Sequence, residues 1–106
     1  INPESTTALD NLGYCYLGKG DYIKAIDKFS QCINLQSENI DAIFGMALSY
    51  YYNNDKTNAK KYFDKAKGIK TILNEGIAGF EKFKTEGWFY SEKDDATLRK
   101  MFDEFK

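Results

Sequence analysis

The chain has 106 residues, of which 42% are hydrophobic and 16% aromatic, so it holds enough apolar material for the core of one small domain. Fifteen basic and sixteen acidic residues give a net charge of -1, which argues against bulk attraction to nucleic acid or anionic membrane. Histidine is absent, which excludes Ser-His-Asp triads, Cys-His pairs and histidine-ligated metal sites.

The strongest pattern in the chain is an internal repeat, which is seen when the sequence is shifted against itself by 34 residues. Identical residues then coincide at five pairs of positions: Ala8 and Ala42, Tyr16 and Tyr50, Asp21 and Asp55, Ala25 and Ala59, Phe29 and Phe63. Similar residues coincide between them: Leu9 and Ile43, Leu12 and Met46, Gly13 and Ala47, Leu35 and Ile69. The recurring positions are mostly small or apolar, as a repeated packing unit requires.

The first period predicts two amphipathic helices joined by a tight turn. The stripe of the first helix recurs at helical spacing and consists of Leu9, Leu12, Gly13 and Tyr16. Between the helices, Gly20 supplies a left-handed stop and Asp21 an N-cap. The second helix carries the packing residues Ala25, Phe29 and Cys32. Small residues let the paired helices approach closely, and the phenylalanine fills the gap between them.

The second period repeats this plan. The stripe of its first helix consists of Ile43, Met46, Ala47 and Tyr50. A turn at Asn53-Asn54-Asp55 leads to a second helix, whose packing residues are Ala59, Phe63 and Ala66. Asn39 and Asn74 are predicted as N-caps of the helices that follow them.

The last third of the chain departs from the period. A helix is predicted over residues 74–86, with a stripe of Ile77, Phe80 and Phe83. Glu81 and Lys84 stand where the period has a small residue and a tyrosine, and a charged face of this kind suits a terminal cap. Residues 87–90 are predicted to fold three aromatic side chains back over the core. Residues 91–94 resemble a capping box, which begins a final helix with the stripe Leu98, Met101, Phe102 and Phe105.

These residues carry a family resemblance. The run Leu9-x-x-Leu12-Gly13-x-x-Tyr16, followed by Ala25 and Phe29, resembles the tetratricopeptide repeat signature, and the second period matches it in the same way. The sequence departs from the signature where Leu9 and Ile43 replace the leading tryptophan, and where Ser37 and Thr71 replace the closing proline. The resemblance covers roughly residues 6–73.

The resemblance implies an all-α fold, in which antiparallel helix pairs stack into a right-handed superhelix. It divides the chain into repeats at residues 6–39 and 40–73, followed by a C-terminal capping helix pair at residues 74–106. Residues 1–5 align with the end of a preceding repeat, because Pro3 lies 34 positions before Ser37, where the signature has its closing proline. We therefore expect this chain to be part of a longer array.

The sequence offers no catalytic constellation, and we expect the chain not to be an enzyme. Asp21 and Asp55 are explained as N-caps, and no pair of the remaining acids stands out for hydrolysis. Cys15 and Cys32 lack the spacing of a zinc site and are expected as small core residues. No metal and no cofactor is predicted. Residues 56–70 carry six lysines and one acid, a pattern typical of a solvated helix face.

Apolar side chains left over on the first helix of each period mark a candidate binding surface. The helix predicted over residues 40–52 is apolar nearly all round, which implies either burial on two sides or a binding face. In one interpretation these side chains pack against neighbouring repeats. In the other they line a peptide groove, because the resemblance implies that first helices form the concave surface. The predicted groove, in which the two aspartates set the charge preference, consists of Asp10, Tyr14, Leu17, Asp41, Phe44, Leu48, Tyr51 and Tyr52.

The predicted partner is another protein or peptide of apolar or basic character, not nucleic acid. Family members that grip the C-terminal carboxylate of chaperone tails use a clamp of Lys, Asn, Asn, Lys and Arg. The matching positions here hold Asp10, Tyr14, Gly45, Glu75 and Gly79, so acidic tails are not expected as ligands.

The alternative function is a structural or oligomerising segment of a larger repeat protein, without a peptide ligand of its own. Self-association of the chain stays open. No apolar run approaches the roughly 20 residues of a membrane-spanning helix, so no membrane span is expected. The compartment is not readable, although the unpaired cysteines and the lack of an Asn-x-Ser/Thr glycosylation site favour the cytoplasm.

Overall fold

In the computed structural model, which describes residues 5–85 and 90–105, every regular element is helical, as predicted. The α-helices are α1 (Thr6–Gly18), α2 (Tyr22–Leu35), α3 (Ile40–Tyr52), α4 (Lys56–Ile69), α5 (Ile77–Lys84) and α6 (Glu92–Glu104). A 3₁₀ helix at Thr71–Glu75 lies between α4 and α5. The chain divides into two compact units, Ile1–Lys65 and Ala66–Lys106.

Three helices of the first unit, α2, α3 and α4, are capped at their N-termini by the predicted polar residues, whereas α1 is capped by Ser5, which was not predicted. Asp21, Asn39 and Asp55 each accept a hydrogen bond from the backbone N–H three residues ahead. Gly20 adopts a φ of 81°, and Asn54 takes the same place one period later with a φ of 63°. Both values are left-handed, and asparagine tolerates this region better than most side chains. The two turns therefore end their helices in the same way.

The first unit is organised around the ring of Phe29, which is fully buried on α2. Helices α1, α2 and α3 all pack against one another. A Cβ atom added to Gly13 of α1 or to Gly45 of α3 would lie less than 3.0 Å from the Phe29 ring. The ring thus occupies two gaps on the helix surfaces, one at Gly13 and one at Gly45, which exist because glycine has no Cβ. We call these gaps notches. The contact with Gly13 follows from the predicted helix pair, whereas the contact with Gly45 joins one repeat to the next.

The pair of α3 and α4 uses a related but different packing. Phe63, the counterpart of Phe29, is fully buried, and its ring centroid lies 6.2 Å from that of Phe44. Tyr50 stacks on Tyr62 with a centroid distance of 5.8 Å. Both repeats thus place a buried phenylalanine on the second helix.

The second unit is held by an aromatic cluster beneath a layer of charges. The Phe80 ring lies 5.4 Å from the Phe102 ring and 6.2 Å from the Tyr90 ring, measured between centroids. Asp95 of α6 accepts hydrogen bonds from Lys84 of α5 and from Arg99, which also pairs with Glu81. Lys84 and Arg99 also lie over the face of Phe80. These contacts join α5 to α6.

The start of α5 differs from the prediction. Asn74 is not its N-cap, because Asn74 lies in the 3₁₀ helix, where its amide donates to the carbonyls of Lys67 and Thr71. The chain then turns at Gly76, with a φ of 75°, and α5 begins at Ile77 without a side-chain cap. The predicted N-cap at Ser91 is confirmed, since its hydroxyl accepts from the N–H of Asp94. The aromatic turn predicted at 87–90 lies outside the described residues, apart from Tyr90.

The close approach at Gly45 gives a stability prediction. Gly45→Ala should destabilise the chain by about 1–3 kcal/mol, because its methyl group would overlap the Phe29 ring. Gly18→Ala is the matched control, since Gly18 also lies in a helix but a Cβ there meets nothing within 4 Å. This control should be neutral or mildly stabilising. Urea unfolding followed by circular dichroism measures the free energy of unfolding of both variants. Equal effects of the two substitutions would contradict the close contact between Gly45 and the Phe29 ring.

The charge layer on the second unit gives a prediction about pH. Partial burial opposes ionisation of Asp95, but hydrogen bonds and charges from Lys84 and Arg99 outweigh it and hold its pKa below the ordinary value. Asp95 therefore stabilises the folded chain above the pKa of its unfolded form, and this contribution disappears as pH falls through the lower folded pKa.

Asp95→Asn should accordingly lower the melting temperature at pH 7, and the difference from the parent should narrow as pH falls through 3.8 and below. Asp103→Asn removes an exposed acid from the same helix and should cause no such loss. A pH-independent effect of Asp95→Asn would show that the carboxylate contributes through shape and not through charge.

Candidate functional site

The predicted groove residues lie on α1 and α3 of the first unit, and the structure separates them by burial. Leu17 is 3% exposed, and Phe44 and Leu48 are fully buried. Helix α3 is buried at every position from 42 to 49. The apolar side chains that the sequence analysis assigned to a possible binding face are therefore covered by other parts of this chain. These three side chains cannot touch a ligand in this structure, and their prediction as peptide contacts is corrected.

Tyr14 is half-buried and joins three helices. Its hydroxyl donates to the backbone carbonyl of Asp41 across 2.7 Å. Its ring meets Phe29 edge to face, with the centroids 4.8 Å apart at an interplanar angle of 75°. Tyr14 therefore fixes the first turn of α3 against α1, while its side chain stays partly accessible.

A polar cluster that the sequence did not predict lies beside Tyr14. The amide of Asn39 donates to Oδ2 of Asp10 at 3.2 Å and to Sγ of Cys32 at 3.4 Å, while its Oδ1 caps α3. The other carboxylate oxygen of Asp10, Oδ1, is buried and has no hydrogen-bond partner among the described residues. Burial raises the pKa of Asp10, and its polar contacts with the side chains of Cys32 and Asn39 oppose this only in part.

Cys32 lies on the inner side of this cluster. Its thiol donates to the carbonyl of Thr6 at 3.6 Å. Burial, followed by the nearby negative charge of Asp10, raises the pKa of Cys32 to about 12. The charge of Asp41 acts on the same thiol, so the two carboxylates of α1 and α3 share one neighbourhood. Both cysteines are free thiols, with Cys15 exposed and Cys32 buried.

Tyr51 and Tyr52 lie at the opposite end of α3. The Tyr52 ring lies 5.7 Å from the Tyr22 ring, and Nζ of Lys56 lies 5.5 Å above the Tyr51 ring. Ten residues separate Tyr51 from Asp41, which corresponds to about 15 Å along the helix axis. Because residues 42–49 between them are buried, the half-buried tyrosines do not extend the Asp10–Tyr14 surface along α3.

Within ranges 5–85 and 90–105, no three His, Cys, Asp or Glu side chains come together in a way that could hold a metal ion. In the same part of the chain, no helix combines the length and the apolarity that a membrane crossing needs.

Comparison with known proteins matches residues 6–39 and residues 41–68 to two models described as tetratricopeptide repeat, which together cover more than half of the chain. The chain belongs to the tetratricopeptide repeat family. Repeats of this family are generally non-enzymatic and mediate protein–protein interactions, so this chain is a protein interaction module.

One curated relative of the repeat chain is Tetratricopeptide repeat protein 8 of Caenorhabditis elegans, which is 27% identical over 83 residues. The match covers 78% of this chain but spans only 15% of that protein's length. No solved structure matches the chain.

The contrast between the two cysteines gives a prediction about reactivity. At pH 8 the Cys15 thiol should react promptly with a maleimide, whereas Cys32 should stay unmodified because it is buried and overwhelmingly protonated. Denaturant should expose the second thiol. Mass spectrometry of the native and unfolded chain measures the number of adducts, and Cys15→Ser serves as the control. Two adducts at similar rates in the native chain would contradict the buried cluster.

Proposed function

We propose that the chain binds a basic segment of another protein, bearing a neighbouring apolar side chain, at a surface formed by Asp10, Tyr14 and Asp41. We call this surface the acidic patch. It keeps the accessible residues at the Asp41 end of the predicted groove. It omits the buried Leu17, Phe44 and Leu48, and also the half-buried Tyr51 and Tyr52 at the far end of α3.

The observation that carries the proposal is the burial and the incomplete hydrogen bonding of the Asp10 carboxylate. Its carboxylate is partly buried, one of its oxygens has no hydrogen-bond partner, and none of the described lysine or arginine side chains pairs with it. A negative charge left in this condition raises the free energy of the folded chain. A cation that a ligand places near this half-buried carboxylate would offset that cost through its charge, without touching the buried Oδ1.

Asp41 and Tyr14 add to this preference. The charges of Asp10 and Asp41 both act on Cys32, which indicates that their fields overlap. The half-buried Tyr14 is held by the Phe29 ring and by its hydroxyl bond, so the part of its side chain that stays accessible offers contact at little entropic cost.

The same geometry supports the expected rejection of acidic tails. Two clamp positions hold Asp10 and Tyr14, and the third is Gly45, which is buried and has no side chain to offer. A carboxylate ligand would face negative charge where the clamp of the family offers donors.

A peptide-display selection on the immobilised chain tests this function. We expect enrichment of peptides that contain Lys or Arg next to an apolar residue. A selected basic peptide should bind the Asp10→Asn/Asp41→Asn chain about tenfold more weakly than the parent, with affinity that falls as salt rises. Asp103→Asn changes the charge by one on α6 and should leave binding unchanged. Enrichment of acidic peptides, or equal affinity for all three chains, would refute the proposal.

The second candidate function is an assembly segment of a larger repeat protein. The burial of Leu17, Phe44 and Leu48 favours it, because it removes the long apolar strip that a groove along α3 would need. In this case no peptide should be enriched above background on the folded chain. A light-scattering mass would then separate a monomeric spacer from an oligomerising segment.

A further inference from the structure

Two lysines of α4 have no anionic partner among the described residues. Lys61 and Lys65 are exposed, and neither forms an ion pair within the part of the chain that the structure describes. Lys60 instead pairs with Asp64, the acid of this helix, with Nζ and Oδ2 2.6 Å apart. Residues four positions apart lie on the same side of a helix, so Lys61 and Lys65 share one face of α4.

An aromatic ring lies beside these lysines. Nζ of Lys61 lies 5.5 Å from the centroid of the Tyr62 ring. That ring stacks on Tyr50 of α3, with the centroids 5.8 Å apart at an interplanar angle of 12°. The stack holds Tyr62 in place, while the residue stays partly accessible. We call the surface formed by Lys61, Tyr62 and Lys65 the lysine face.

The lysine face has the chemistry that the acidic patch requires of a ligand. It offers two cations next to an aromatic side chain. These groups stand on a helix that is already folded, so binding them orders few further groups and costs little conformational entropy.

Contact between the two surfaces would also relieve repulsion on both of them. Like charges four positions apart on a helix destabilise it, which applies to Lys61 and Lys65. Asp10 and Asp41 carry like charges that act on the same neighbour, Cys32. The net charge of the chain is only -1, so overall repulsion between two copies is weak.

We propose that the partner of the acidic patch is a second copy of this chain, which places its lysine face against Asp10, Tyr14 and Asp41. Two different surfaces meet in this contact, so it is heterologous. The acidic patch lies on α1 and α3 and the lysine face on α4, and both belong to the first unit, Ile1–Lys65. Each copy therefore supplies both sides of the contact. This inference rests on the proposed function, because it names the partner of the same patch.

Sedimentation equilibrium of the parent chain at millimolar concentration and low ionic strength measures this association. The average mass should exceed that of the monomer, rise with concentration and fall as salt is added. Lys61→Gln/Lys65→Gln should return the chain to the monomer mass, because it removes both cations of the lysine face. Lys93→Gln/Lys100→Gln changes the net charge equally at two exposed lysines of α6 and should associate as the parent does.

Mixing two variants tests whether the acidic patch is the other half of the contact. Asp10→Asn/Asp41→Asn keeps the lysine face, and Lys61→Gln/Lys65→Gln keeps the acidic patch. Each should be monomeric alone, whereas an equal mixture should contain a complex with one copy of each. Circular dichroism checks that both variants are folded. The lysine variant changes only exposed residues, so its mass decides the proposal even if the aspartate variant does not fold.

A parent chain that stays monomeric at millimolar concentration would overturn the inference. Association that survives Lys61→Gln/Lys65→Gln would do the same, as would a mixture of folded variants without a complex. The proposed function is judged separately, by the basic peptide from the display selection. If that peptide binds the parent through the two aspartates while the parent stays monomeric, only the second copy as partner is refuted. If no basic peptide is enriched and association does not depend on the aspartates, both proposals fail.

Discussion

The close contact of the Phe29 ring with two glycines is the interaction on which the first unit depends. The ring enters from α2 and lies against Gly13 of its own repeat and Gly45 of the next. Because each glycine lacks the atom that would collide with the ring, three helix backbones approach one side chain together. Protein interiors are packed to nearly crystalline density. The two glycines, one on α1 and one on α3, therefore fix where α2 can place its ring. The first repeat and the first helix of the second repeat therefore pack together around this one ring.

The accessible surface follows from this packing. The rings of Tyr14 and Phe29 meet edge to face, and the Tyr14 hydroxyl holds the first turn of α3, so the position of Tyr14 depends on the packing of the core. Asn39 caps α3 with one amide atom and binds Asp10 and Cys32 with the other. The carboxylate of Asp10 is consequently held at a partly buried position with an unfavourable charge. The proposed binding of a basic segment rests on this carboxylate, whose Oδ1 has no hydrogen-bond partner among the described residues.

The sequence predicts most of the helices, turns and caps, but it predicts less well which side chains are exposed. The period of 34 residues predicts the helix pairs, the turns at Gly20 and Asn54 and the caps at Asp21, Asn39 and Asp55, because each depends on neighbours a few residues away. It does not decide whether Phe44 and Leu48 are covered, since a helix that is apolar all round fits both a groove and a core. The cluster of Asp10, Cys32 and Asn39 joins residues from three helices and has no local signature. The prediction of Asn74 as an N-cap is wrong because the positive-φ turn at Gly76 shifts the start of α5 to Ile77.

Native-state hydrogen exchange on the chain with Phe29→Leu tests the central claim most directly. If one ring holds three helices, the amides of α1, α2 and α3 should lose protection together and by similar factors, because the two notches and the edge contact with Tyr14 are lost at once. Loss of protection confined to α2, with α1 and α3 as slow to exchange as in the parent, would contradict the account.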